Sequence, residues 1–311
     1  MIICLGTTPT MQRTMSFPRL TIDAVNRATA VHDYASGKVT NVARVLHTLG
    51  QSELLLTGFL GGIRGRTFRA DLDAAGVPHD FVEVSALTRL CITVIDQSAR
   101  TATELVEEPK PVAPQDYQKL LDKLRGLLAG ARLLVLSGTL PPGADPDFYA
   151  RCVELASRHG VRVILDAVGQ PLLRALPHRP HIVKPNQSEL SRTLERDLPD
   201  EKAVGEAMRE LIARGAEWVV TTRGPKDTLL TNGESFWRVT TPKVQVVSAI
   251  GSGDAFAAGL AFALSSGQEL PLAAILGTAC AAANAMTAFA GHVDRDVVQS
   301  LKDQIRLEQL A

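Results

Sequence analysis

Several features that mark other classes of protein are scarce in this chain of 311 residues. Lysines plus arginines number 33 and so do aspartates plus glutamates, so the chain lacks the net charge that gathers nucleic acid or an anionic membrane surface. The four cysteines, Cys4, Cys91, Cys152 and Cys280, are scattered, with none of the close pairs that mark a zinc site. They are interpreted as reduced core residues, and a small molecule is the expected ligand.

Targeting and membrane-spanning segments are also missing from the pattern. Met1 to Gly6 is too short and uncharged for a signal sequence, so the cytoplasm is the predicted compartment. The stretch from Leu270 to Gly291 contains no charged residue and has the length of a membrane span. It consists largely of alanine, however, so its transfer free energy is weak beside that of a leucine-rich span. A buried helix is predicted there, and no membrane partner.

What the chain does have, from about residue 112 onward, is an alternation of strand-like and helical segments. Apolar runs of strand length lie at 132–137, 161–166, 181–184 and 218–222. Helical spacing covers Gln115 to Leu128, Asp147 to Arg158, Glu201 to Ala213 and Asp254 to Leu264. This alternation predicts an α/β fold with a mostly parallel sheet covered on both faces. Ligands of such sheets bind at the carboxyl ends of the strands.

The part before residue 112 shows strand pairs that no helix joins. The pairs are Gln12 to Phe17 with Val25 to Asp33, and Arg89 to Asp96 with Thr101 to Glu107. A helical segment, Val39 to Leu49, lies between them. We therefore predict a body made of 1–11, 34–87 and 112–311, and a small β lid made of 12–33 and 88–111. Such a lid could cover a binding site.

The strongest local motif is a glycine turn that opens a helix. The β-rich run ValGlnValVal at 244–247 leads into AlaIleGlySerGlyAspAlaPhe at 249–256. Backbone N–H groups and the positive helix end then face one point, which is the physical basis of an anion site. Asp254 beside that point could take a proton from a hydroxyl nucleophile. An ordinary strand-to-helix turn with an acidic residue near the cap is the alternative.

A second motif, LysProAsnGlnSerGluLeu at 184–190, follows another predicted strand. Asn186 and Glu189 are spaced to fall on one side of a helical turn, where an amide oxygen and a carboxylate suit magnesium and its waters. The same two residues could instead form a capping box. ThrThrArgGlyProLys at 221–226 and SerGlyThrLeuProProGly at 137–143 also follow strands. Both could simply be turns.

In this order the motifs resemble those of one family. The chain resembles the ribokinase-like, or PfkB, carbohydrate kinases, in the branch of 1-phosphofructokinase and tagatose-6-phosphate kinase. Besides the segments above, the resemblance rests on ValAsnArg at 25–27, GlyLysValThrAsnValAlaArgValLeu at 37–46, GlyPheLeuGlyGly at 58–62 and ThrArg at 88–89. It implies a three-layer α/β/α fold with a mostly parallel central sheet and a small β-sheet lid, with ATP and Mg²⁺ as cofactors.

The resemblance also implies roles for individual residues. Asp254 would be the catalytic base, and the N–H groups of Gly251, Ser252 and Gly253 would neutralise charge on the transferred phosphoryl group. Glu189 would organise the metal ion, through water, with Asn186 beside it. Lys184, Thr222 and Gly224 would lie around the ATP phosphates, and Asn284 near the adenine. The acceptor-side residues would be Gln12, Gly37, Lys38 and Asn41, with Arg89 pairing with a phosphate already on the sugar.

The sequence departs from the family pattern at the acceptor side. Gln12 stands where relatives usually have an aspartate, SerGlyLysVal at 36–39 replaces GlyGlyLysGly, and Asp227 replaces a glycine of the nucleotide loop. An uncharged glutamine changes the hydrogen-bond pattern offered to a sugar, and Val39 adds bulk where glycine leaves room. We therefore expect an acceptor shifted away from fructose 1-phosphate and tagatose 6-phosphate.

Three functions remain open at this point. The first is an ATP-dependent kinase of a sugar or sugar phosphate, the second a nucleoside or other small-alcohol kinase, and the third a catalytically silent sugar-binding regulatory protein. Arg89 and Lys38 favour an anionic sugar over a nucleoside. The retained Asp254 argues against the silent protein. A homodimer that forms through the lid is a further expectation.

Overall fold

The computed structural model describes residues 1–310 and contains two β sheets. The strands are β1 (Ile2–Gly6), β2 (Thr10–Phe17), β3 (Ala30–Ser36), β4 (Leu54–Leu60), β5 (Val82–Glu83), β6 (Arg89–Asp96), β7 (Thr101–Val106), β8 (Leu133–Ser137), β9 (Arg162–Asp166), β10 (Ile182–Val183), β11 (Trp218–Arg223), β12 (Lys226–Thr231), β13 (Phe236–Val239) and β14 (Leu307–Leu310). The helices are α1 (Lys38–Thr48), α2 (Gly62–Ala74), α3 (Pro114–Leu128), α4 (Phe148–Arg158), α5 (Gln170–Ala175), α6 (Gln187–Leu194), α7 (Glu201–Ala213), α8 (Ser252–Ser265), α9 (Leu270–Ala285) and α10 (Arg295–Lys302).

The larger sheet is mostly parallel, as predicted. Its strand order is β14-β13-β12-β11-β10-β9-β8-β1-β4-β5. The strands from β11 to β5 are parallel, whereas β12, β13 and β14 pair antiparallel at one edge. This antiparallel edge was not predicted from the sequence.

Helices cover both faces of this sheet, and the alternation of side chains along β1 shows why. Ile2 and Cys4 belong to one buried cluster, which contains α1, α8 and α9. Ile3 and Leu5 belong to the other, which contains α3, α4 and α7. Successive residues of a strand point to opposite faces, so a strand apolar at every position is buried on both sides. The three-layer α/β/α fold is confirmed.

The uncharged segment near the C-terminus contains the predicted buried helix, which ends at Ala285 and not at Gly291. Helices α8 and α9 approach so closely at Gly259 that a Cβ there would lie only 2.9 Å from the Cα of Gly277. Small side chains at such a crossing let two backbones approach. No helix within residues 1–310 is both long and apolar enough to cross a membrane.

The smaller sheet, which we call the lid sheet, has the order β3-β2-β6-β7. Strands β2 and β6 run parallel, so the two strand pairs of the sequence analysis join in one sheet. Strand β3 begins at Ala30, not at Val25 as predicted. Asn26 closes the preceding loop, because its amide bonds to both the N–H and the C=O of Thr21 at 2.9 and 2.8 Å. Such local side-chain bonds compete with strand pairing.

Candidate active site

A cleft of about 440 Å³ lies at the carboxyl ends of the parallel strands, between the larger sheet and the lid sheet. It brings together most of the site residues that the sequence predicted. Those that line it are Gln12, Gly37, Lys38, Asn41, Arg89, Lys184, Asn186, Glu189, Thr222, Gly251, Gly253 and Asp254. Ser252, Gly224 and Asn284 are not among the lining residues.

The glycine turn presents Asp254 at the start of α8. Gly251 adopts the left-handed conformation with φ of +82°, and a Cβ there would lie 2.9 Å from the Cα of Ala290. Only glycine fits such a position without strain. The N–H of Ser252 donates to the carbonyl of Ala249 at 3.2 Å, whereas those of Gly251 and Gly253 have no hydrogen-bond acceptor within residues 1–310. These two groups are therefore the ones available to an anion.

The run that precedes this turn is not a strand, and this corrects the sequence analysis. Residues 244–247 are irregular. The N–H groups of Val247 and Ser248 both donate to the carbonyl of Ala285, at 2.8 and 3.2 Å, at the end of α9. The turn is thus held by a helix C-terminus and not by a neighbouring strand.

Asp254 is buried, with 6% of its surface exposed. Asn41 Nδ2 donates to its Oδ2 at 2.7 Å. Burial raises the pKa of Asp254 to about 7, although the positive charge of Lys38 and the hydrogen bond from Asn41 act in the opposite direction. A carboxyl group with a pKa near neutrality is suited to exchange a proton with a substrate hydroxyl.

Two lysines and two carboxylates form a charge network beside Asp254. Lys38 Nζ lies 3.0 Å from Glu189 Oε1 and 3.4 Å from Asp166 Oδ1. Lys184, which is 2% exposed, places its Nζ 3.2 Å from Asp166 Oδ2. Burial alone would lower the pKa of Lys38, but the carboxylates of Asp166, Glu189 and Asp254 outweigh it and raise that pKa. Burial alone would raise the pKa of Asp166, but the positive charges of Lys184 and Lys38 outweigh burial and lower that pKa.

Asp166 is a member of this network that the sequence analysis missed. It is the last residue of β9 and is 1% exposed. The signal was present, because the sequence analysis recognised the run 161–166 as a strand and expected ligands at strand ends. A buried carboxylate at that place was therefore identifiable from the sequence.

Asn186 and Glu189 form the capping box that the sequence left as an alternative. Glu189 N donates to Asn186 Oδ1 at 2.8 Å, and Asn186 N donates to Glu189 Oε2 at 2.9 Å. The other carboxylate oxygen of Glu189 faces Lys38. Both residues line the cleft as well, so the cap does not remove them from the site.

Of the other predicted donor-side residues, Thr222 lines the cleft and Gly224 does not. Thr222 forms an isolated bridge with Asn186. Gly224 lies in the two-residue turn between β11 and β12, where a Cβ would meet no atom within 4 Å in residues 1–310. Asp227 Oδ1 accepts a hydrogen bond from Thr241 N at 3.0 Å.

Asn284 stands behind the glycine turn and is fully buried. Its Nδ2 donates to the carbonyl of Ile250 at 2.9 Å, and its Oδ1 accepts from Gly291 N at 2.8 Å. These two hydrogen bonds brace the glycine turn, and the place of Asn284 near the adenine stays a prediction.

The acceptor side of the cleft is formed by the lid sheet. Gln12 is 2% exposed, and its Nε2 donates to Thr93 Oγ1 at 2.9 Å. Arg89 donates to the carbonyls of Glu107 and Thr8 at 3.3 and 3.2 Å. The cleft wall also contains Glu104, whose pKa burial raises and Arg89 lowers, with a net increase. The lid therefore contributes both a guanidinium and a carboxylate.

Val39 does not narrow the acceptor pocket as the sequence suggested. It is 4% exposed and belongs to the core cluster of α1 and α8. A Cβ added at Gly6 would lie 2.6 Å from Val39 Cγ1, so the valine fills the space beside the glycine that ends β1. The bulk of this side chain is directed into the body and not toward the cleft.

Comparison with known proteins agrees with this geometry. The family model described as pfkB family carbohydrate kinase matches residues 1–291. The chain belongs to the pfkB family. It is a sugar kinase, and the expected resemblance is confirmed.

Solved structures support the same assignment. Phosphofructokinase-2 of Escherichia coli in complex with fructose-6-phosphate is 27% identical, with a TM-score of 0.89 over 97% of this chain and 98% of that one. A protein of Thermotoga maritima described as a possible 1-phosphofructokinase is 23% identical, with a TM-score of 0.91 over 100% of both chains. Arabidopsis thaliana ribokinase complexed with ribose and ATP is 20% identical, with a TM-score of 0.76 over 97% and 98%. The last two show that this pfkB protein has their fold.

Proposed function

We propose that this pfkB kinase transfers the γ-phosphoryl group of ATP to a hydroxyl of a sugar or sugar phosphate. The observation that carries the proposal is the buried carboxylate of Asp254 at the start of α8, in a cleft that also contains Lys38. A proton acceptor, a helix N-terminus and a cation are thereby assembled at one point. Phosphoryl transfer needs these elements, because its catalysis is mainly positioning and electrostatic stabilisation.

Asp254 is the base in this proposal. It would accept the proton of the acceptor hydroxyl as the oxygen attacks the γ-phosphorus and the bond to the ADP oxygen breaks. A pKa of about 7 leaves a large share of the carboxylate ionised at neutral pH while keeping it a useful proton acceptor. The hydrogen bond from Asn41 fixes the orientation of the group.

Charge that develops on the phosphoryl oxygens would be met by backbone and side-chain donors. The N–H groups of Gly251 and Gly253 are available, and the helix dipole of α8 favours negative charge at the same place. Lys38 and Lys184 supply positive charge beside this turn, where a Cβ on Gly253 would lie 3.7 Å from Lys184 Nζ. The lid sheet would limit the access of water, which strengthens these interactions.

The residues also fit a magnesium ion held in the way usual for nucleotide enzymes. Mg²⁺ commonly binds one or two carboxylates together with substrate phosphates and keeps several waters. Glu189 and Asp166 offer two such carboxylates in the cleft, and within residues 1–310 there is no cluster of three or more acidic, histidine or cysteine ligands. When bound, the ion would neutralise charge on the β- and γ-phosphates.

The acceptor is proposed to be anionic. Arg89 lies in the cleft wall on the lid side, where its guanidinium donates to two backbone carbonyls and forms no ion pair within residues 1–310. A guanidinium without a paired carboxylate is suited to bind an anionic group such as a phosphate. Gln12 replaces the charge that relatives present to sugar hydroxyls, which supports an acceptor different from theirs.

The test is an ATP-consumption screen with hexose phosphates, free sugars and nucleosides. Fructose 6-phosphate, the ligand of the E. coli relative, is included with fructose 1-phosphate and tagatose 6-phosphate. We expect acceptor-dependent ATP use with a sugar phosphate, and a rate lower by about 10² to 10⁴ with the Asp254→Asn variant prepared in parallel. Preference for a nucleoside would favour the second function left open by the sequence. Sugar binding without any ATP use would favour the silent regulatory protein.

A further inference from the structure

The hydroxyl of Ser36 begins a hydrogen-bond chain that ends on Asp254. Ser36 Oγ donates to Asn41 Oδ1 at 2.9 Å, and Asn41 Nδ2 donates to Asp254 Oδ2 at 2.7 Å. The three residues are 2%, 4% and 6% exposed. We propose that Ser36 is a positioning residue that acts through Asn41 to keep the carboxylate of Asp254 ready to accept a proton. The proposal rests on the role of Asp254 as base in the proposed function.

The chemistry of the asparagine amide explains why a donor at Ser36 matters. The amide has a donating and an accepting end, and it can present either one to Asp254. Its NH₂ group stabilises an ionised carboxylate, whereas its oxygen would stabilise a protonated one. Because Ser36 donates to the amide oxygen, that oxygen is occupied and the NH₂ group faces Asp254. Without the Ser36 hydroxyl, the Asn41 amide would be free to rotate. Its oxygen could then accept a hydrogen bond from the O–H of a protonated Asp254, which would stabilise the protonated form.

An ion pair holds the backbone beside Ser36, where the hydrogen-bond chain begins. Asp71 Oδ2 accepts from the backbone N–H of Ala35 at 3.0 Å, and Arg44 Nη2 donates to the carbonyl of Ala35 at 2.9 Å. Arg44 and Asp71 also pair with each other at 2.9 Å. Both backbone groups next to Ser36 are thus fixed, so its hydroxyl starts from a defined place.

Asn41 is confined from the opposite side. A Cβ on Gly291 would lie 2.7 Å from the Cα of Asn41, so the loop after α9 contacts the asparagine directly. Asn41 is therefore held between Ser36 on one side and this loop on the other.

Other charged groups face Asp254 and set much of its proton affinity. Lys38 on α1 and Lys184 after β10 favour the ionised carboxylate, and Asp166 at the end of β9 disfavours it. Glu189 on α6 neutralises part of the charge of Lys38. A substitution at Ser36 leaves all of these groups in place. Its effect is therefore expected to be a shift of the pH profile and not a loss of catalysis at every pH.

The experiment is the pH dependence of kcat/KM for the parent and for Ser36→Ala. One neutral hydrogen bond corresponds to a change of about 0.5 to 1 pH unit in the apparent pKa of the base. We expect the acidic limb to move upward by that amount, so kcat/KM falls about threefold to tenfold at pH 6 and stays within about twofold of the parent at pH 9. The KM for ATP should not change.

Two control variants separate positioning from packing. Ser36→Thr keeps the hydroxyl and should restore the parent profile. Thr40→Val removes a buried hydroxyl next to Asn41 that has no hydrogen-bond partner within residues 1–310, and it should leave the profile unchanged. A Ser36→Ala variant whose kcat/KM falls equally at pH 6 and pH 9, or whose acceptor KM alone rises, would overturn the proposal.

A readout that needs no substrate distinguishes failure of this inference from failure of the proposed function. The Asp254 carboxyl carbon can be titrated by ¹³C NMR, with its signal assigned by comparison with Asp254→Asn. Ser36→Ala should move that titration upward by about 0.5 to 1 unit even if no acceptor is found. An unchanged titration in a folded variant would refute the role of Ser36 and leave the kinase assignment untouched.

Discussion

At the scale of single residues, Asp254, the proposed base, carries a cost to stability. Its pKa in the folded protein is about 7, above the value of 3.8 for an ordinary aspartate. Between these values the folded protein retains a proton that the unfolded chain releases. The free energy of unfolding therefore decreases as the pH rises through this window. Above pH 7 it stays at the lower value, because both states have then released the proton.

The first prediction concerns Asp254→Asn, which removes the base and the buried charge together. Turnover should fall by about 10² to 10⁴, because general-base catalysis contributes that much, while ATP binding remains. The variant should also melt at least about 2 °C above the parent at pH 8, with a smaller difference at pH 5. Kinetics and thermal melts at both pH values measure these effects. A pH-independent difference in Tm, or turnover within about tenfold of the parent, would contradict the assignment.

The second prediction concerns Arg89. Arg89→Ala should raise the acceptor KM with little change in the KM for ATP, because a charge-assisted hydrogen bond to a phosphate is worth about 1.5 to 3 kcal/mol. Arg64→Ala is the matched control, since Arg64 pairs with Glu107 at 2.9 Å but does not line the cleft. Steady-state kinetics on both variants give the comparison. Equal activity of the parent on free and phosphorylated sugars would remove the basis of the prediction.

The third prediction concerns Gln12. We expect poor kcat/KM with fructose 1-phosphate and tagatose 6-phosphate in the parent, and an improvement of up to about thirtyfold in Gln12→Asp, the equivalent of one charged hydrogen bond. Thr93 Oγ1 accepts from Gln12 Nε2 at 2.9 Å, and its own hydroxyl hydrogen is the group that would donate to a carboxylate at position 12. Gln12→Asn changes length without adding charge and should give no gain. Efficient use of either sugar by the parent would show that Gln12 is neutral.

At the scale of elements, the start of α8 depends on a glycine that fulfils two conditions. Gly251 has a positive φ, and a Cβ there would also lie 2.9 Å from the backbone of Ala290 and Gly291. Gly267, just after α8, has a similar φ of +84°, but no atom within residues 1–310 lies within 4 Å of its would-be Cβ. The two glycines therefore separate conformational strain from steric crowding.

The fourth prediction compares Gly251→Ala with Gly267→Ala. The alanine at 267 should lower the free energy of unfolding by about 1 kcal/mol, the cost of a left-handed alanine. The alanine at 251 should cost more and should also reduce turnover, because the displaced backbone carries the N–H groups that are proposed to bind the phosphoryl oxygens. Chemical denaturation and initial rates test both effects. Equal destabilisation by the two changes would mean that the loop at Ala290 yields without consequence.

At the scale of the whole molecule, the lid sheet leaves one face partly uncovered. Met15, Ile92 and Val94 on this face are half-buried, and Val31 and Leu105 are about 50% and 53% exposed. Strand registry places these side chains in neighbouring rows. An exposed apolar sheet face favours association.

The fifth prediction is that two copies associate through this face of the lid. Leu105→Glu should convert a dimer into a monomer, because a carboxylate would then be buried without a partner. Leu272→Glu is the control, since Leu272 is similarly exposed, at 51%, but lies on α9. Analytical ultracentrifugation measures the mass of each variant. A monomeric parent, or a dimer that survives Leu105→Glu, would rule out this interface.

Much of the fold follows from the sequence because local patterns specify local structure. The alternation of apolar runs and helical segments after residue 112 predicted β8, β9, β11, α3, α4 and α7 within one or two residues of their bounds. The uncharged segment from Leu270 was predicted as a buried helix, since alanine packs closely and carries little transfer free energy. Motif order identified the family.

Features that depend on contacts between residues distant along the chain could not be predicted from the sequence. Residues 244–247 have the composition of a strand but form none, because Ala285 takes the hydrogen bonds of Val247 and Ser248. Val39 occupies a position that the motif assigns to the pocket, yet its side chain packs in the core, in the space beside Gly6. The division into body and lid and the roles of the site residues stay predictions.

The sequence by itself determined which chemical groups are present and which strand ends carry them. Only the tertiary structure decided how those groups act on one another. Asp166 ends β9 and Lys184 follows β10 in the parallel sheet, whereas Lys38 opens α1 after the lid strand β3, so their mutual distances arise only when the two sheets meet at one edge. The proton affinity of Asp254 is set by burial and by these neighbours, and neither can be derived from a string of residues. The physical reason is that desolvation and Coulomb interaction depend on distance in space, whereas propensity and motif depend on distance along the chain.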